Sequence, residues 1–385
     1  MSIRIALGGD VNFSRHRGEM AGLVQRKKAS PLVRYWRKLT KILNSCSAVA
    51  DYSPAQEIEN IRLEEYGGIW ENPEVNEYND NSTPFKQIGK FFRDADVGYI
   101  NLETPLSKEG RHIGSFCSSP EFAGVLNENN ITIVSIANNH SFDAGERGFI
   151  ETINILRDNN IRFVGGGVNI GEARHGEIIE LGKLKLGFLS YTACCNCFFM
   201  SLAKSDQPGI LPLFEPIFLD DIRVIKKKCD FLIVAPHFEI ENTPKIHKNS
   251  IVLARKMVDF GADLIIGSHS HVPKPIEVYN GKLIIYCLGN LIFTYSKKTW
   301  KNSLVAEVIL SDSGEYQNAK FYPINSENKN CFSPYIMENK EGNKLLSEIK
   351  SNSDKLFKTP LLLDNHFLEI KNFNKSTTFP CRPNG

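Results

Sequence analysis

An α/β fold is predicted for this chain by three observations. Short apolar or β-branched runs alternate with stretches of helical spacing, the alternation is regular through the middle of the sequence, and polar residues gather just past the runs. The first run is Ile3-Arg-Ile-Ala-Leu7, which closes at Gly8-Gly9-Asp10. Val97-Gly-Tyr-Ile100 leads into Asn101-Leu-Glu103, and Ile131-Thr-Ile-Val-Ser-Ile136 leads into Ala137-Asn-Asn-His140. Further strands are expected at Leu184 to Leu189, Phe231 to Ala235, Leu264 to Ile266 and Leu283 to Tyr286. Helices are expected over Gly148 to Asn159 and Ser250 to Phe260, the second followed by Gly261 as a helix-ending glycine. Asp10, Glu103, Asn139, His237 and His269 each fall within a few positions of a strand's end. In open α/β sheets that edge is where loops aim side chains into one crevice.

Composition narrows the function classes. The 385 residues are 42% apolar and 23% charged, as in a soluble globular chain. The 46 basic and 44 acidic residues leave a net charge of +2, which gives no general pull toward nucleic acid or anionic membrane. No apolar run approaches the roughly 18 residues of a spanning helix. Gly8, Gly9 and Asp10 arrive too early for a signal peptide, and the nine scattered cysteines read as reduced thiols, so a cytoplasmic protein is expected.

Residues 16 to 90 interrupt the alternation and are read as an insertion of helices and loops. Nine basic residues and one acidic residue lie between Arg15 and Lys41; nine acidic residues and one basic residue lie between Asp51 and Asp80. Charge runs usually face water, and two solvated faces of opposite sign are the plain reading; a basic arm that gathers an anionic substrate is the sharper one. Residues 1–310 are expected to form the main domain. Residues 311–385 are an extension packing on it, with an added edge strand at Tyr316 to Pro323 and a surface helix at Gly342 to Phe357.

The strongest chemical signal is Gly267-Ser-His-Ser-His271. Two histidines at i and i+2 on a strand-to-loop exit can both turn toward metal, although an isolated pair of this kind is often structural. Gly267 would permit a tight turn there, and Asp263 precedes the same strand. Asp10, behind two glycines, can approach a cation closely or serve as a turn aspartate. Glu103 can bridge two ions, and His237 follows an apolar strand. Asn139 offers a neutral oxygen ligand; His140 can give a proton to a leaving group, with Asp143 orienting its ring. The competing reading of Asn138 to Asp143 is an Asx-turn leading to a helix cap. Two carboxylates, one amide and three imidazoles are too many for one tetrahedral zinc. They suit two divalent ions about 3.5–4 Å apart, of manganese, iron or zinc type. Gly165-Gly-Gly167 lacks the rest of a phosphate loop, and Cys194-Cys-Asn-Cys197 has no partner cluster, so both are set aside.

In this order the motifs resemble the CapA-type poly-γ-glutamate capsule proteins, a branch of the calcineurin-like metallophosphoesterase superfamily. The carriers are Gly9-Asp-Val11 with Arg15, Asn101-Leu-Glu-Thr-Pro-Leu106, Ala137-Asn-Asn-His-Ser-Phe-Asp143 with Gly145, Gly165 to Gly167 with Glu172-Ala173, His237 with Glu241, Gly261-Ala-Asp263, Gly267 to His271, and Tyr286-Cys-Leu-Gly-Asn290. The resemblance implies a four-layer αββα sandwich of two mixed sheets flanked by helices. It also implies one ion held by Asp10, Glu103 and His271, and a second held by Glu103, Asn139, His237 and His269. His140 would be the proton donor; Glu241 would stand beside the ligands and Arg15 would meet a substrate anion. The sequence departs from the pattern at Asn12, where the wider superfamily has histidine, and at Glu103, where it has aspartate. It departs again at Glu239, where the capsule branch usually has glycine.

The function implied is a metal-dependent hydrolase or transferase acting on a γ-glutamyl-like amide of an acidic polymer or peptide, through a hydroxide shared by the two ions. A phosphomonoesterase or phosphodiesterase at the same site and a non-catalytic accessory protein of polymer synthesis are the alternatives.

Overall fold

The structure is a computed structural model that describes residues 2–13, 83–108, 116–193, 202–293, 302–326, 332–371 and 373. Arg15, most of the inserted segment and Cys194 to Cys197 lie outside the described residues.

The first strands are β1 (Ser2–Asn12), β2 (Val97–Leu102), β3 (Ile131–Ser135) and β4 (Arg162–Val164). The middle of the chain adds β5 (Gly166–Gly167), β6 (Glu177–Leu181), β7 (Leu184–Thr192), β8 (Gly209–Ile210), β9 (Phe231–His237) and β10 (Leu264–Ile266). Then come β11 (Ile276–Tyr279), β12 (Lys282–Ile285), β13 (Asn290–Phe293), β14 (Ser303–Ser311) and β15 (Tyr316–Asn325). Last are β16 (Tyr335–Ile336), β17 (Leu362–Leu363) and β18 (Leu368–Ile370).

Among the described residues these strands make two large mixed sheets. One runs β17-β18-β15-β14-β1-β2-β3-β4, with β13 also paired to β1 and β16 to β15; the other runs β11-β12-β10-β9-β7-β6. Strands β1, β2, β3 and β4 are mutually parallel, as are β7, β9, β10 and β12, so their carboxyl ends share one edge of each sheet.

Side-chain alternation explains the layering. Ile3, Ile5 and Leu7 point from β1 into a core shared with Leu186, Phe188, Phe231, Ile233, Leu264, Ile266 and Ile285 of the second sheet, so the two sheets pack face to face. Ala6, Ile100, Leu102 and Val134 point the other way, under helices α1 (Gly89–Arg93), α2 (Phe122–Glu128) and α3 (Gly145–Asp158). A short α4 (Ile170–Ala173) follows β5. The outer face of the second sheet, through Leu232, Val234, Ile265 and Ile284, is covered by α5 (Glu215–Lys226) and α6 (Lys248–Asp259). The result is the expected order of helices, sheet, sheet and helices.

Two elements differ from expectation. The strand at Tyr316 forms, but β18 lies beyond it, so it is interior to the sheet path. Helix α7 (Lys340–Phe357) buries Leu346 and Ile349 against the same core as Ile5 and Leu7, which its amphipathic spacing permits and its polar outer face conceals. β1 is also longer than its apolar run. Asp10 to Asn12 stay in strand because β13 pairs beside them in parallel, with Asp10 opposite Asn290.

Candidate metal centre

The polar ends of both sheets meet over the inter-sheet core. Asp10 sits where the pairing of β1 with β2 shifts register, and its N–H donates to Gly289 O at 3.1 Å. Gly9 owes its place to that contact rather than to cation access: a Cβ there would lie 1.8 Å from Gly289 O. Gly267 has a similar reason, since a Cβ would lie 2.2 Å from Tyr286 O. The turn itself is made by the histidines, whose φ angles are +92° at His269 and +57° at His271. Both are left-handed conformations that L-residues rarely adopt, and strained backbone of this kind clusters at functional sites.

Asn101 organises the carboxylates. Its Nδ2 donates to Asp10 Oδ1 at 2.9 Å and to Glu103 Oε2 at 3.3 Å, and lies 3.3 Å from His237 Nδ1. Its Oδ1 in turn accepts from Asn138 Nδ2 at 3.2 Å. The other oxygen of Glu103, Oε1, is fully buried and has no hydrogen-bond partner among the described residues. It stands 3.9 Å from His237 Nε2 and 3.8 Å from His271 Nε2, between two imidazoles.

Each of these imidazoles is oriented through its other nitrogen. His237 Nδ1 pairs with Ser268 Oγ at 2.8 Å, which leaves Nε2 beside Asn139 Oδ1, also at 2.8 Å. His271 Nδ1 pairs with Asn290 Oδ1 at 2.9 Å and lies 3.6 Å from Asp10 Oδ2. The His269 ring centre is 4.7 Å from that of His237, and the His269 backbone N–H donates to Asp10 Oδ2 at 3.3 Å.

The electrostatics run against ionisation. Burial raises the Asp10 carboxyl above its ordinary range. Burial, and then the charges of Asp10 and Glu241, hold Glu103 well above it. Burial, then His269 and His271, keep His237 well below the usual imidazole value; burial pushes His271 down to about 4, against the pull of Asp10. With both imidazoles held below their usual value, the His–carboxylate contacts are not ion pairs at neutral pH. A cation would reverse the balance, because it favours both the carboxylate and the neutral imidazole.

Two groups of three side chains among the described residues could hold a metal ion: Glu103, His237 and His269, and Asp10, Glu103 and His271. In each group the donor atoms lie within 4.8 Å of one another, and Glu103 belongs to both. Cys287 is nearby in sequence, but burial pushes its thiol up to about 12, so it offers no thiolate.

His140 stands at the margin. Its Nδ1 pairs with Asp143 Oδ2 at 2.9 Å, the Phe116 ring lies on it with centroids 4.3 Å apart, and the Phe116 N–H donates to Asp143 Oδ2 at 2.8 Å. Asp143 does not cap α3, whose N-cap is Ala144 without a side-chain hydrogen bond. The Asx-turn belongs to Asn138, whose Oδ1 accepts the His140 N–H at 3.1 Å. Glu241 is half-buried on the loop after β9, and the next residue ties that loop in: Asn242 N–H donates to Ser270 O at 3.0 Å. Asp263 points away from the centre to Lys226, Lys282 and the Leu232 N–H. Asn12 is buried in β1 opposite Phe293.

Sequence reasoning overlooked Asn101, Ser268 and Asn290. Asn101 carried a signal, because strand alternation sets it on the same side as Glu103. Ser268 and Asn290 stand in motifs that carry the resemblance, but nothing local gave them a role, since their partners come from other parts of the chain. No described helix is long and apolar enough to cross a membrane.

Residues 4–295 match the family described as bacterial capsule synthesis protein PGA_cap. The PGA biosynthesis protein CapA of Bacillus subtilis (strain 168) is 31% identical over 248 residues, covering 62% of this chain and 64% of that protein. A probable polyglutamine synthesis accessory protein of Mycobacterium tuberculosis (strain ATCC 25618 / H37Rv) is 27% identical over 213 residues, covering 52% of this chain and 56% of that protein. A solved structure described as a novel phosphatase from Mycoplasma pneumoniae is 11% identical with a TM-score of 0.43, covering 84% of this chain and 94% of that one. The matched region spans less than two thirds of the length of either curated relative. Both candidate metal groups fall inside the matched span of 292 residues, from 4 to 295, and the chain belongs to the bacterial capsule synthesis protein family PGA_cap.

Proposed function

We propose that this chain is a divalent-metal-dependent hydrolase or transferase that acts on an amide bond, of γ-glutamyl type, in an acidic polymer or peptide. The observation that carries the reading is Glu103: a fully buried carboxyl with Oε1 unpartnered, 3.9 Å and 3.8 Å from two imidazole nitrogens. An orphaned buried acceptor costs about 1–3 kcal/mol, and more if charged, so a structural role gives this arrangement no return. A pair of cations supplies what the geometry lacks. Asp10, Glu103 and His271 would hold one ion; Glu103, Asn139, His237 and His269 would hold the other. The oxygen and imidazole donor set suits manganese, iron or zinc. When bound, such a pair activates water and neutralises charge that develops on the substrate.

The chain's own groups supply the rest. Asp143 holds the His140 proton on Nδ1, which leaves Nε2 as the nitrogen that exchanges a proton with the leaving group. Phe116 holds the ring from one side. Asn101 and Asn138 fix the carboxylates, and Asn290 and Ser268 fix the imidazoles, so the site is set before substrate arrives. Glu241 at the margin, and Arg15 in the segment outside the described residues, are the proposed substrate contacts.

The polymer assignment is supported by the family and by the relative named as a PGA biosynthesis protein. The word accessory in the name of the mycobacterial relative favours a second reading, a non-catalytic partner in polymer synthesis. Metal analysis and turnover separate them. The enzyme reading requires about two equivalents of transition metal and turnover of γ-glutamyl peptides or, as the phosphoester alternative, of aryl phosphodiesters. Asp10→Ala and His269→Ala must each remove metal and turnover together. A metal-free chain carrying both changes that still supports polymer synthesis sinks the enzyme reading.

A further inference from the structure

Beside the centre lies a charged pair that the proposed chemistry does not use. Glu239 follows His237 by two residues and Lys274 follows His271 by three, so each extends one of the ligand-bearing loops. Both side chains are fully buried, and Lys274 Nζ lies 3.0 Å from Glu239 Oε2. The ammonium also donates to Thr243 O at 2.9 Å and to Lys245 O at 2.5 Å. Its three hydrogens thus meet three oxygens, all from residues 239–245. Glu239 Oε2 accepts the His247 N–H at 3.1 Å as well. The loop is wrapped around a fixed internal cation.

The backbone bears a cost for this. Glu239 has φ +98°, a conformation that only glycine adopts without strain. Burying an ion pair gives little net stability over an apolar pair, so stability alone is a poor reason to keep both features. What the loop carries is Glu241, between the strained Glu239 and the Asn242 N–H that donates to Ser270 O. Ser270 lies between His269 and His271, and the charge of Glu241 is felt at both Glu103 and His271.

We propose that Lys274 is a positioning residue: with Glu239 as its counter-ion it gathers the 239–247 loop and holds Glu241 beside the His269–His271 turn of the metal centre. The inference deepens the proposed function and rests on its metal reading, but not on any catalytic step.

The test uses the full chain, Co²⁺ as probe, and the variants Glu241→Gln, Lys274→Met and Glu239→Gly with Lys274→Met together. Removing Lys274 alone strands a buried carboxylate and should lower the melting temperature. In the double variant glycine accepts the left-handed backbone and no buried charge is left over, so melting should recover. Amide exchange across 239–247 should nevertheless rise about tenfold or more in the double variant, because the loop has lost its anchor. Cobalt should bind about tenfold more weakly, because the Glu241 carboxylate is no longer held beside the centre although the net charge is unchanged. Glu241→Gln should weaken cobalt binding to the same degree while loop exchange stays at the wild-type rate. If the wild type binds two ions and neither Glu241→Gln nor the double variant changes their affinity, the proposal falls while the metal reading stands. If the wild type binds no cobalt, the metal reading falls and the proposal with it. Unchanged cobalt affinity in Glu241→Gln overturns the proposal even if the Lys274 variants do not fold.

Discussion

Asp263 and Glu103 are buried carboxyls at opposite ends of parallel strands, and they meet contrasting company. Asp263, just before β10, has Lys226 Nζ and Lys282 Nζ each at 2.6 Å and the Leu232 N–H at 2.8 Å. Glu103, just after β2, has one amide hydrogen and two imidazoles held neutral by burial; its ion-pair neighbours among the described residues are histidines only. The first carboxylate brings its own cations within the chain. The second, with Asp10 beside it, is surrounded by groups that become useful when a cation arrives from outside. The Glu239–Lys274 pair belongs with Asp263 in this respect, although its residues follow His237 and His271 of the candidate metal centre by two and three positions.

The contrast can be broken by substitution. Glu103→Ala should have the largest effect, because Glu103 belongs to both candidate ligand groups: both ions should be lost and turnover should drop about 10³-fold or more, measured by metal analysis and steady-state assay. Retention of both ions would end the idea of a shared carboxylate. Next come opposite effects on stability. Asp263→Asn leaves two partly exposed ammonium groups without their partner and should cost about 2 kcal/mol, with metal content unchanged. Glu103→Gln should leave the metal-free chain melting no lower than wild type, because the amide removes a carboxyl that burial disfavours. Equal losses in the two variants, read by thermal melts in chelator, would erase the distinction.

Smaller effects sharpen it. Asn290→Ala removes the oxygen that orients His271 and should weaken metal binding about 10–100-fold, seen by competition with a chelating dye. An unchanged affinity would mean that the hydrogen bond from His271 is incidental. Proton competition gives the smallest effect. Asp10 and Glu103 have raised values in the folded protein, so below those values they hold protons that an incoming ion must displace. Affinity should fall as pH falls through that range, by up to about tenfold per pH unit for each proton displaced. His271, already deprotonated above about pH 4, should add nothing to that slope between pH 5 and 8. By the same linkage the metal-free chain loses stability as pH rises from the ordinary carboxylate value through the raised one. Calorimetry in buffers of different ionisation heat reads the released protons, and metal uptake whose proton release does not grow as pH falls toward the ordinary carboxylate value would contradict the raised carboxylates.

Much of the candidate site was legible because its signals are local. A strand, a turn and a polar residue just past the strand are written in adjacent positions, as at Ile131 to His140 and Leu264 to His271. Asp263 sits near the histidine pair in sequence, but as the residue before β10 it lies at the far end of the strand, where it was read. Gly9 and Gly267 were read as making room for cation or turn, whereas the backbone of the connection between β12 and β13, at Gly289 and Tyr286, requires them to be bare.

By itself the sequence determined the α/β class, the strands that end in polar residues and the residue types able to hold metal, because hydrophobic period and turn chemistry act over a few residues. Only the tertiary structure decided that Asn101 serves both carboxylates, that Asn290 and Ser268 orient the imidazoles, and that Lys274 reaches Glu239. Those contacts depend on which strands lie side by side and in what register. That pairing comes from burying two sheet faces against each other, an interaction among residues far apart in the chain that no local pattern records.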